Sequence, residues 1–336
     1  MIADPLRRLA PVVRVAPAKL NLTLAIVGRR TDGFHALHSV IVPLGLADRL
    51  SLAPNGANED SLSCSGFPCG PDPENLVARA IAAVRGAVGR ANPTPALAAR
   101  LEKRIPVAAG LGGGSSDAAA AILGSLEAWG AELDPAVCLQ IAAGIGSDVP
   151  FFLAPRATLV EGRGERLTPL HGIREGAAAV VLVTPSVPAP TRDVFGAWAA
   201  GAMSEPGIAR RTSEHFASEF GSGLSTSALL ERAGVLASAN DLLRAAEAVV
   251  PGLVAFRRRL MRLSGRPIGL NGSGPTLWAL YPSLDEAEGI AARIRAALAA
   301  GEIEAPGAAA PFVVATAILR DPPDIRQTGE KGSPSP

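Results

Sequence analysis

The chain has 336 residues, 32 Lys and Arg against 31 Asp and Glu, a formal net charge of +1, and only 4% aromatic residues. Such a length buries a sizeable core and favours two domains. Near-neutral charge and scarce stacking platforms argue against nucleic acid and anionic membrane as partners, and no apolar run reaches the about 18 residues of a membrane span.

Strands are expected near residues 12–15, 20–27, 39–44 and 49–52. Around the second of these, apolar and polar residues alternate so that Lys19, Asn21 and Thr23 share one face, which reads as one wall of a site. Lysines occur only at Lys19, Lys103 and Lys331, and the other 29 of the 32 cationic residues are Arg. A lysine in so arginine-rich a chain fits a place where a compact ammonium is wanted, although a surface lysine at a strand end is the plainer reading. A helix over residues 75–88, entered through Asp72-Pro73-Glu74, and a strand over 97–101 lead to the most informative segment.

Residues 106–117 read Pro-Val-Ala-Ala-Gly-Leu-Gly-Gly-Gly-Ser-Ser-Asp and pass into Ala118-Ala119-Ala120-Ala121-Ile122-Leu123. Gly110, Gly112, Gly113 and Gly114 leave no Cβ to block close approach and permit positive φ, so backbone N–H groups can converge on an anion. Ser115 and Ser116 offer N-cap hydroxyls, and the strong helix formers behind them aim a helix N-terminus at the same anion. The loop is therefore read as a phosphate cradle and not as a Gly/Ser linker. No lysine follows Gly114, which excludes the Walker pattern, and a dinucleotide fold would need an acidic residue about 20 positions on, where none is well placed.

A second helix is expected from Asp134-Pro135 to a stop at Gly144 and Gly146. Asp148 follows, before Val149-Pro150-Phe151-Phe152-Leu153, read as an apolar strand. A carboxylate there can serve as a base, and a capping or turn aspartate is the alternative. Further on, a β-like stretch to 170, a strand at 178–183, a loop with a short helix over 201–226, helices at 240–250 and 251–263, short strands flanking Asn271-Gly272-Ser273-Gly274-Pro275, a helix at 283–298 and a strand at 311–319 suggest an α+β domain with an open antiparallel sheet. Residues 321–336 read as a disordered tail.

Cys64 and Cys69 form a lone C-x4-C pair with no second pair or nearby His, and Cys138 falls in an expected helix. All three read as unpaired thiols in a reducing compartment. With no apolar signal stretch at Met1–Arg8, the expectation is a cytoplasmic protein.

Pro-Ala-Lys-Leu-Asn-Leu at 17–22, the loop at 106–121 and Leu-Asn-Gly-Ser-Gly-Pro-Thr at 270–276 resemble, in order and spacing, the GHMP superfamily of small-molecule kinases. Gly28-Arg-Arg-Thr-Asp-Gly-Phe-His35, Glu74-Asn75-Leu76, Lys103-Arg-Ile-Pro106 and Gly146–Phe152 narrow the resemblance to the family that phosphorylates the 2-hydroxyl of 4-diphosphocytidyl-2-C-methyl-D-erythritol in non-mevalonate isoprenoid precursor synthesis. It spans residues 15–319, and its most specific element is Arg-x-Asp-Gly-Phe-His. The resemblance implies a two-domain α+β fold: a ribosomal-protein-S5-like N-terminal domain over 1–158 and a ferredoxin-like α/β sandwich with an antiparallel sheet over 159–320. It implies ATP and Mg²⁺, with unidentified metal ligands and Ser115 as one contact, and a monomer or homodimer acting on a small molecule that carries a cytidine diphosphate group.

By position, Asp148 matches the family's general base and Lys19 the ammonium beside it. Asn75, Lys103, Pro106, Gly110, Leu111, Gly112, Gly113, Gly114, Ser115 and Ser116 match the ATP side, with Asn75 and Lys103 near adenine and ribose. Asn21, Phe34, His35, Thr191, Phe195, Gly272 and Ser273 match the substrate side, His35 at the cytosine edge and Phe34 with Phe195 around the base. Phe34 stands where the family usually has Tyr, which keeps the stacking face and loses the hydroxyl. Asn271 stands where Ser or Thr is more usual, and its tolerance of turns preserves the loop shape. Other readings are a GHMP kinase for mevalonate, homoserine or a sugar, and a binding module without turnover.

Overall fold

Pairing along one long strand organises the first half of the chain. The computed structural model describes residues 11–31, 33–69, 74–89, 94–201 and 207–320. Strands β1 (Val12–Asn21) and β2 (Ala25–Arg29) both run antiparallel to β3 (His35–Pro54), followed by β4 (Ser61–Gly66). The expected strand at 20–27 is divided at residues 22–24, whereas those at 39–44 and 49–52 fuse into the 20-residue β3. The fusion follows from near-continuous pairing along one edge: β3 pairs with β2 through His38 and with β1 from Ile41 to Leu52. Helix α1 (Leu76–Val88) is capped by Asn75, whose Oδ1 accepts from Val77 N. Next come β5 (Leu97–Lys103), α2 (Gly113–Trp129), α3 (Pro135–Ile145), α4 (Val149–Phe152), β6 (Thr158–Gly162) and β7 (Arg166–Pro169).

Among the described residues these strands form a seven-stranded sheet in the order β4-β5-β3-β6-β7, with β1 and β2 also on β3. The expected border at 158/159 meets the first residue of β6, and β6 and β7 hydrogen-bond into this sheet, so the sheet runs on to Pro169. The run after Asp148 is the helical turn α4 and not a strand; Pro150, in the first turn, holds φ in the helical range.

The chain continues through β8 (Ile173–Glu175), β9 (Ala179–Thr184), α5 (Thr191–Ala199), α6 (Ile208–Ser222), β10 (Leu224–Ser225), α7 (Thr226–Glu231), α8 (Ala233–Leu236), α9 (Leu243–Val249), α10 (Leu253–Ser264), β11 (Gly269–Leu270), β12 (Leu277–Tyr281), α11 (Leu284–Ala299) and β13 (Phe312–Ala317). The short helix expected within a loop over 201–226 is the 15-residue α6, which occupies most of that segment. Its buried Ala209, Ser213, Phe216, Ala217 and Phe220 recur at helical spacing, so one apolar face outweighs the polar average of the segment. The antiparallel order β11-β12-β9-β13 is the expected open sheet. The α+β architecture is thus established; the tail expected at 321–336 lies outside the described residues.

Side-chain alternation makes β9 serve two cores. Val181 and Val183 pack with Phe256, Leu260 and Ile294 of α10 and α11, while Val180 and Leu182 pack with Leu20, Val40, Val42 and Leu44 of the larger sheet. A third core joins α1, α2 and α4 to β3 and β5 through Val77, Ile81, Ile122, Phe151, Leu52 and Leu97. The sheets therefore share a dry interface, and the glycine loop and the 271–275 turn meet at its edge.

One cysteine expectation is corrected. Cys64 and Cys69 are joined as a disulfide with Cα atoms 6.5 Å apart, closing the turn that follows β4. The turn is fixed because Phe67 N donates to Lys103 O, which brings Cys69 back beside the strand. Cys138 is a free, buried thiol in α3.

Candidate active site

The loop before α2 has φ values of 56° at Ala108, 76° at Gly110 and 72° at Gly112. This alternation turns backbone N–H groups to one side, as in an anion-binding nest. A Cβ on Gly110 would stand 2.6 Å from Asn271 O, and one on Gly112 would stand 2.8 Å from the Phe152 ring and 3.0 Å from Lys19 Cγ. Glycine is needed there for three distant segments to meet. Ser115 and Ser116 are not N-caps as expected: Gly112 is the cap, with no side-chain cap bond, and α2 begins at Gly113. The left-handed conformation of Gly112 ends the loop two residues early, so the N–H groups of Gly113, Gly114 and Ser115 fall in the first turn, where no intrahelical acceptor exists. Ser116 N donates to Gly112 O at 2.9 Å, and its Oγ is buried without a hydrogen-bond partner. Pro106 and Leu111 are buried beneath the loop.

Lys19 reaches this helix end from β1, and its backbone N donates to Leu111 O at 2.9 Å. Its Nζ donates to Asn21 Oδ1 at 2.5 Å and lies 3.6 Å from Asp148 Oδ2. The Lys19 side chain is 6% exposed and that of Asp148 42%, so a buried ammonium meets an accessible carboxylate. Asp148 stands at the start of α4, yet its side chain makes no cap bond. The capping alternative is thereby removed, and the carboxylate is left open to an incoming hydroxyl.

Donor and acceptor inventory fixes the wall behind Lys19. Ser39 Oγ donates to Thr23 O at 2.5 Å, so it must accept from Asn21 Nδ2, 2.8 Å away. That bond turns Asn21 Oδ1 toward the ammonium. Thr23, expected on the same face as Lys19 and Asn21, supports them from behind: its Oγ1 accepts from Val40 N at 3.0 Å and meets Ser213 Oγ at 2.7 Å.

Lys103, expected near adenine and ribose, commits its ammonium to two carboxylates. Its Nζ donates to Asp117 Oδ2 at 2.7 Å and to Asp48. The pair of carboxylates sits under the loop, since a Cβ on Gly113 would stand 3.2 Å from Lys103 Nζ. Asn75 likewise spends its Oδ1 on capping α1. Asp48 Oδ1 accepts from Arg104 N at 2.5 Å and Ile105 N at 2.8 Å, whereas Asp117 Oδ1 is buried without a partner. Burial pushes Asp117 up to about 8; the Lys103 ammonium opposes this and the Asp48 carboxylate adds to it. A carboxyl held above its unfolded value of 3.8 keeps its proton in the folded state while the unfolded chain ionises. Its contribution to stability is complete below that value and is lost as pH rises through about 8. Asp117→Asn is therefore expected to gain in melting temperature relative to the parent between pH 5 and 8.5 in thermal unfolding scans. Parallel curves for the two proteins would refute the assignment of the proton to Asp117.

At the far end, the His35 ring stacks on Phe195 of α5 with centroids 5.1 Å apart and planes at 23°. Trp198, one turn along the same helix, meets His35 edge-on at 5.3 Å. Burial, with the Arg29 charge adding, lowers the His35 pKa from 6.5, so the imidazole is neutral at pH 7 and can both donate and accept. Phe34 is 51% exposed, with the Arg163 guanidinium 5.4 Å from its ring centroid. Thr191 Oγ1 and Ser273 Oγ are 3.1 Å apart, joining α5 to the 271–275 turn, and a Cβ on Gly272 would stand 3.4 Å from Lys19 Nζ. Asn240 Nδ2 holds the same turn by donating to Leu270 O and Gly272 O, each at 2.9 Å. Sequence reasoning missed Ser39, Asn240 and Trp198; only Trp198, three residues after Phe195, carried a local signal.

An anion cradle at a helix N-terminus, a buried ammonium against an accessible carboxylate and an aromatic group at one end are the parts that phosphoryl transfer to a small molecule requires. The description "GHMP kinases N terminal domain" matches residues 75–155. The solved structure of L. major mevalonate kinase with R-mevalonate superposes with a TM-score of 0.68 over 96% of this chain and 99% of that one, at 16% identity, which speaks for the fold alone. A crystal structure of 4-(cytidine 5'-diphospho)-2C-methyl-D-erythritol kinase is 33% identical, with a TM-score of 0.66 over 91% of this chain and 99% of its own. The 4-diphosphocytidyl-2-C-methyl-D-erythritol kinase of Pelotomaculum thermopropionicum is 36% identical over 84% of this chain and 94% of its own length. That of Methylobacterium radiotolerans is 39% identical over 84% and 93%. The chain belongs to the 4-diphosphocytidyl-2-C-methyl-D-erythritol kinase family.

Proposed function

We propose that this protein transfers the γ-phosphoryl group of ATP to the 2-hydroxyl of 4-diphosphocytidyl-2-C-methyl-D-erythritol. The observation that carries the chemistry is the Lys19–Asp148 pair, 3.6 Å apart and beside the loop that opens α2. As the alcohol oxygen attacks, an O–P bond forms, the bond from the γ-phosphorus to the bridging oxygen of ADP breaks, and the hydroxyl proton passes to Asp148. Gly110–Ser116 neutralise phosphate charge through backbone N–H groups, and Lys19 stabilises the charge that develops between nucleophile and phosphoryl group. Mg²⁺ bound with the nucleotide would supply positive charge to its phosphate oxygens. The described residues contain no cluster of three metal-ligating His, Cys, Asp or Glu, which suits an ion carried mainly by phosphates and water. We assign Ser115, whose Oγ lies 3.9 Å from where a Gly146 Cβ would stand, as the residue that would hold it.

The stacked His35 and Phe195, with the exposed Phe34, are the groups we assign to the cytosine, and Asn21, Thr191, Gly272 and Ser273 to the rest of the substrate. Lys103 and Asn75 act from beneath the nucleotide by fixing the loop and α1. We divide the chain into a nucleotide-binding first domain and a second domain from Gly172 to 320, the division following the sheet pairing. The site is built from one chain, so a monomer or homodimer suffices. No described helix is long and apolar enough to cross a membrane; from its demand for ATP we assign the reaction to the cytoplasm.

The test is ADP release with the cytidine-diphosphate alcohol beside mevalonate, homoserine and galactose. Turnover on the first alone supports the reading, and preference for any other alcohol overturns it. Base stacking is worth about 1–3 kcal/mol to alanine, so Phe195→Ala is expected to raise KM for the cytidine substrate by about 5- to 150-fold with kcat little changed. An unchanged KM would remove Phe195 from the base pocket.

A further inference from the structure

Asn271 is fully buried, and every polar atom of its side chain is spoken for. Its Oδ1 accepts from Asn21 N at 2.8 Å, and its Nδ2 donates to Lys19 O at 3.1 Å and Gly110 O at 3.2 Å. The amide cannot be flipped, because two carbonyls face the nitrogen and an N–H faces the oxygen. Its own backbone is pinned as well: Asn271 N donates to Thr276 O, and Gly274 N donates to Asn271 O, both at 2.9 Å. One carboxamide thus ties together the strand that carries Lys19, the loop that cradles phosphate and the turn that faces Lys19 Nζ, segments 161 and 252 residues away along the chain. A serine hydroxyl has one proton and a shorter reach, so it cannot donate to both carbonyls.

We propose that Asn271 is a positioning residue for phosphoryl transfer: its carboxamide locks the Lys19 strand to the phosphate loop, so that the ammonium and the bound γ-phosphoryl group keep a fixed relation. The inference rests on the function proposed above and deepens it. Asn271 touches neither reactant. Its effect is on alignment, to which transfer through a loose transition state is most sensitive: a misplacement of about 1 Å costs about 10²-fold in rate. Nucleotide affinity depends on the N–H groups of the loop and of α2, which Asn271 does not supply.

The experiment compares the parent with Asn271→Ser and Asn271→Asp in the full chain. It measures kcat and both KM values on whichever alcohol the parent phosphorylates, the Kd for ADP by calorimetry, and the folded fraction by thermal unfolding. Asn271→Ser is expected to lower kcat by about 10- to 100-fold, with KM and the ADP Kd within about threefold of the parent. Asn271→Asp keeps the size and the acceptor for Asn21 N, and it can donate one bond while protonated and none when ionised. At least one of the two bonds to Lys19 O and Gly110 O is lost in either state, so its kcat is expected to fall at least as far as that of Asn271→Ser, again with KM and the ADP Kd little changed. A loss of kcat that merely tracks the folded fraction, a kcat within about threefold of the parent for both variants, or an ADP Kd weakened as much as kcat would each overturn the proposal. Absence of turnover by the parent on the cytidine substrate overturns the proposed function instead, since the variant ratios are taken on the alcohol the parent uses.

Discussion

Asp148→Asn is expected to lower kcat by about 10²- to 10⁴-fold, the usual worth of a positioned general base, while KM for either substrate moves by less than about threefold. Each tenfold corresponds to about 1.4 kcal/mol of barrier. The substitution is isosteric, and the Asp148 side chain makes no cap bond, so α4 loses no hydrogen bond that would confuse the reading. The ability to take the alcohol proton is removed, together with the charge that faces Lys19 Nζ at 3.6 Å. Steady-state kinetics at saturating ATP and alcohol check this, and a loss below tenfold would mean that the proton leaves by another route.

Lys19→Met is expected to cost about 10²- to 10³-fold in kcat, the scale for removing one preorganised charge at a reacting centre. Methionine keeps the apolar stem in its slot beside Gly112 and deletes the ammonium between Asn21 Oδ1 and Asp148 Oδ2. Lys19→Arg is expected not to rescue the rate. A guanidinium is planar and broader, and the space is bounded by Gly112 on one side and Gly272 on the other. Kinetics of the two variants side by side decide the matter: recovery by Arg would mean that positive charge alone suffices, and a loss below tenfold for Met would dismiss the electrostatic role.

Local chemistry was legible in the sequence wherever a residue's role is set by its neighbours along the chain. The glycine loop announces its conformation because positive φ is cheap for glycine, and α1, α3 and α11 announce their starts through Asn75, Asp134 and Ser283. The helix start at Ser115 was misplaced because Gly112 caps through its backbone, which leaves no side-chain signal. Pro150 favoured a helical turn, but the apolar run around it has the composition of a strand. α6 was expected shorter than it is because its buried face had to be read against a polar average.

What could not be read were the partners chosen across long loops. Asp48, a plain strand residue, becomes the counter-charge of Lys103, 55 positions away. Ser39 sets the direction of the Asn21 amide from the neighbouring strand, and nothing at Ser39 itself announces it. The C-x4-C spacing is short enough for a disulfide, but only the return of the chain beside Lys103 closes it. Such pairings are products of tertiary packing, and a single sequence records their members without their matching.

The bonds from Asn271 to Lys19 and Asn21 join residues about 250 positions apart. During synthesis the lysine strand and the phosphate cradle both emerge long before the residue that registers them, and closing so long a loop comes late in folding. A chain that ends before the 271–275 turn therefore contains Lys19 and the glycine loop and lacks the residue that joins them. The register between these segments is thus completed only when nearly the whole polypeptide is present.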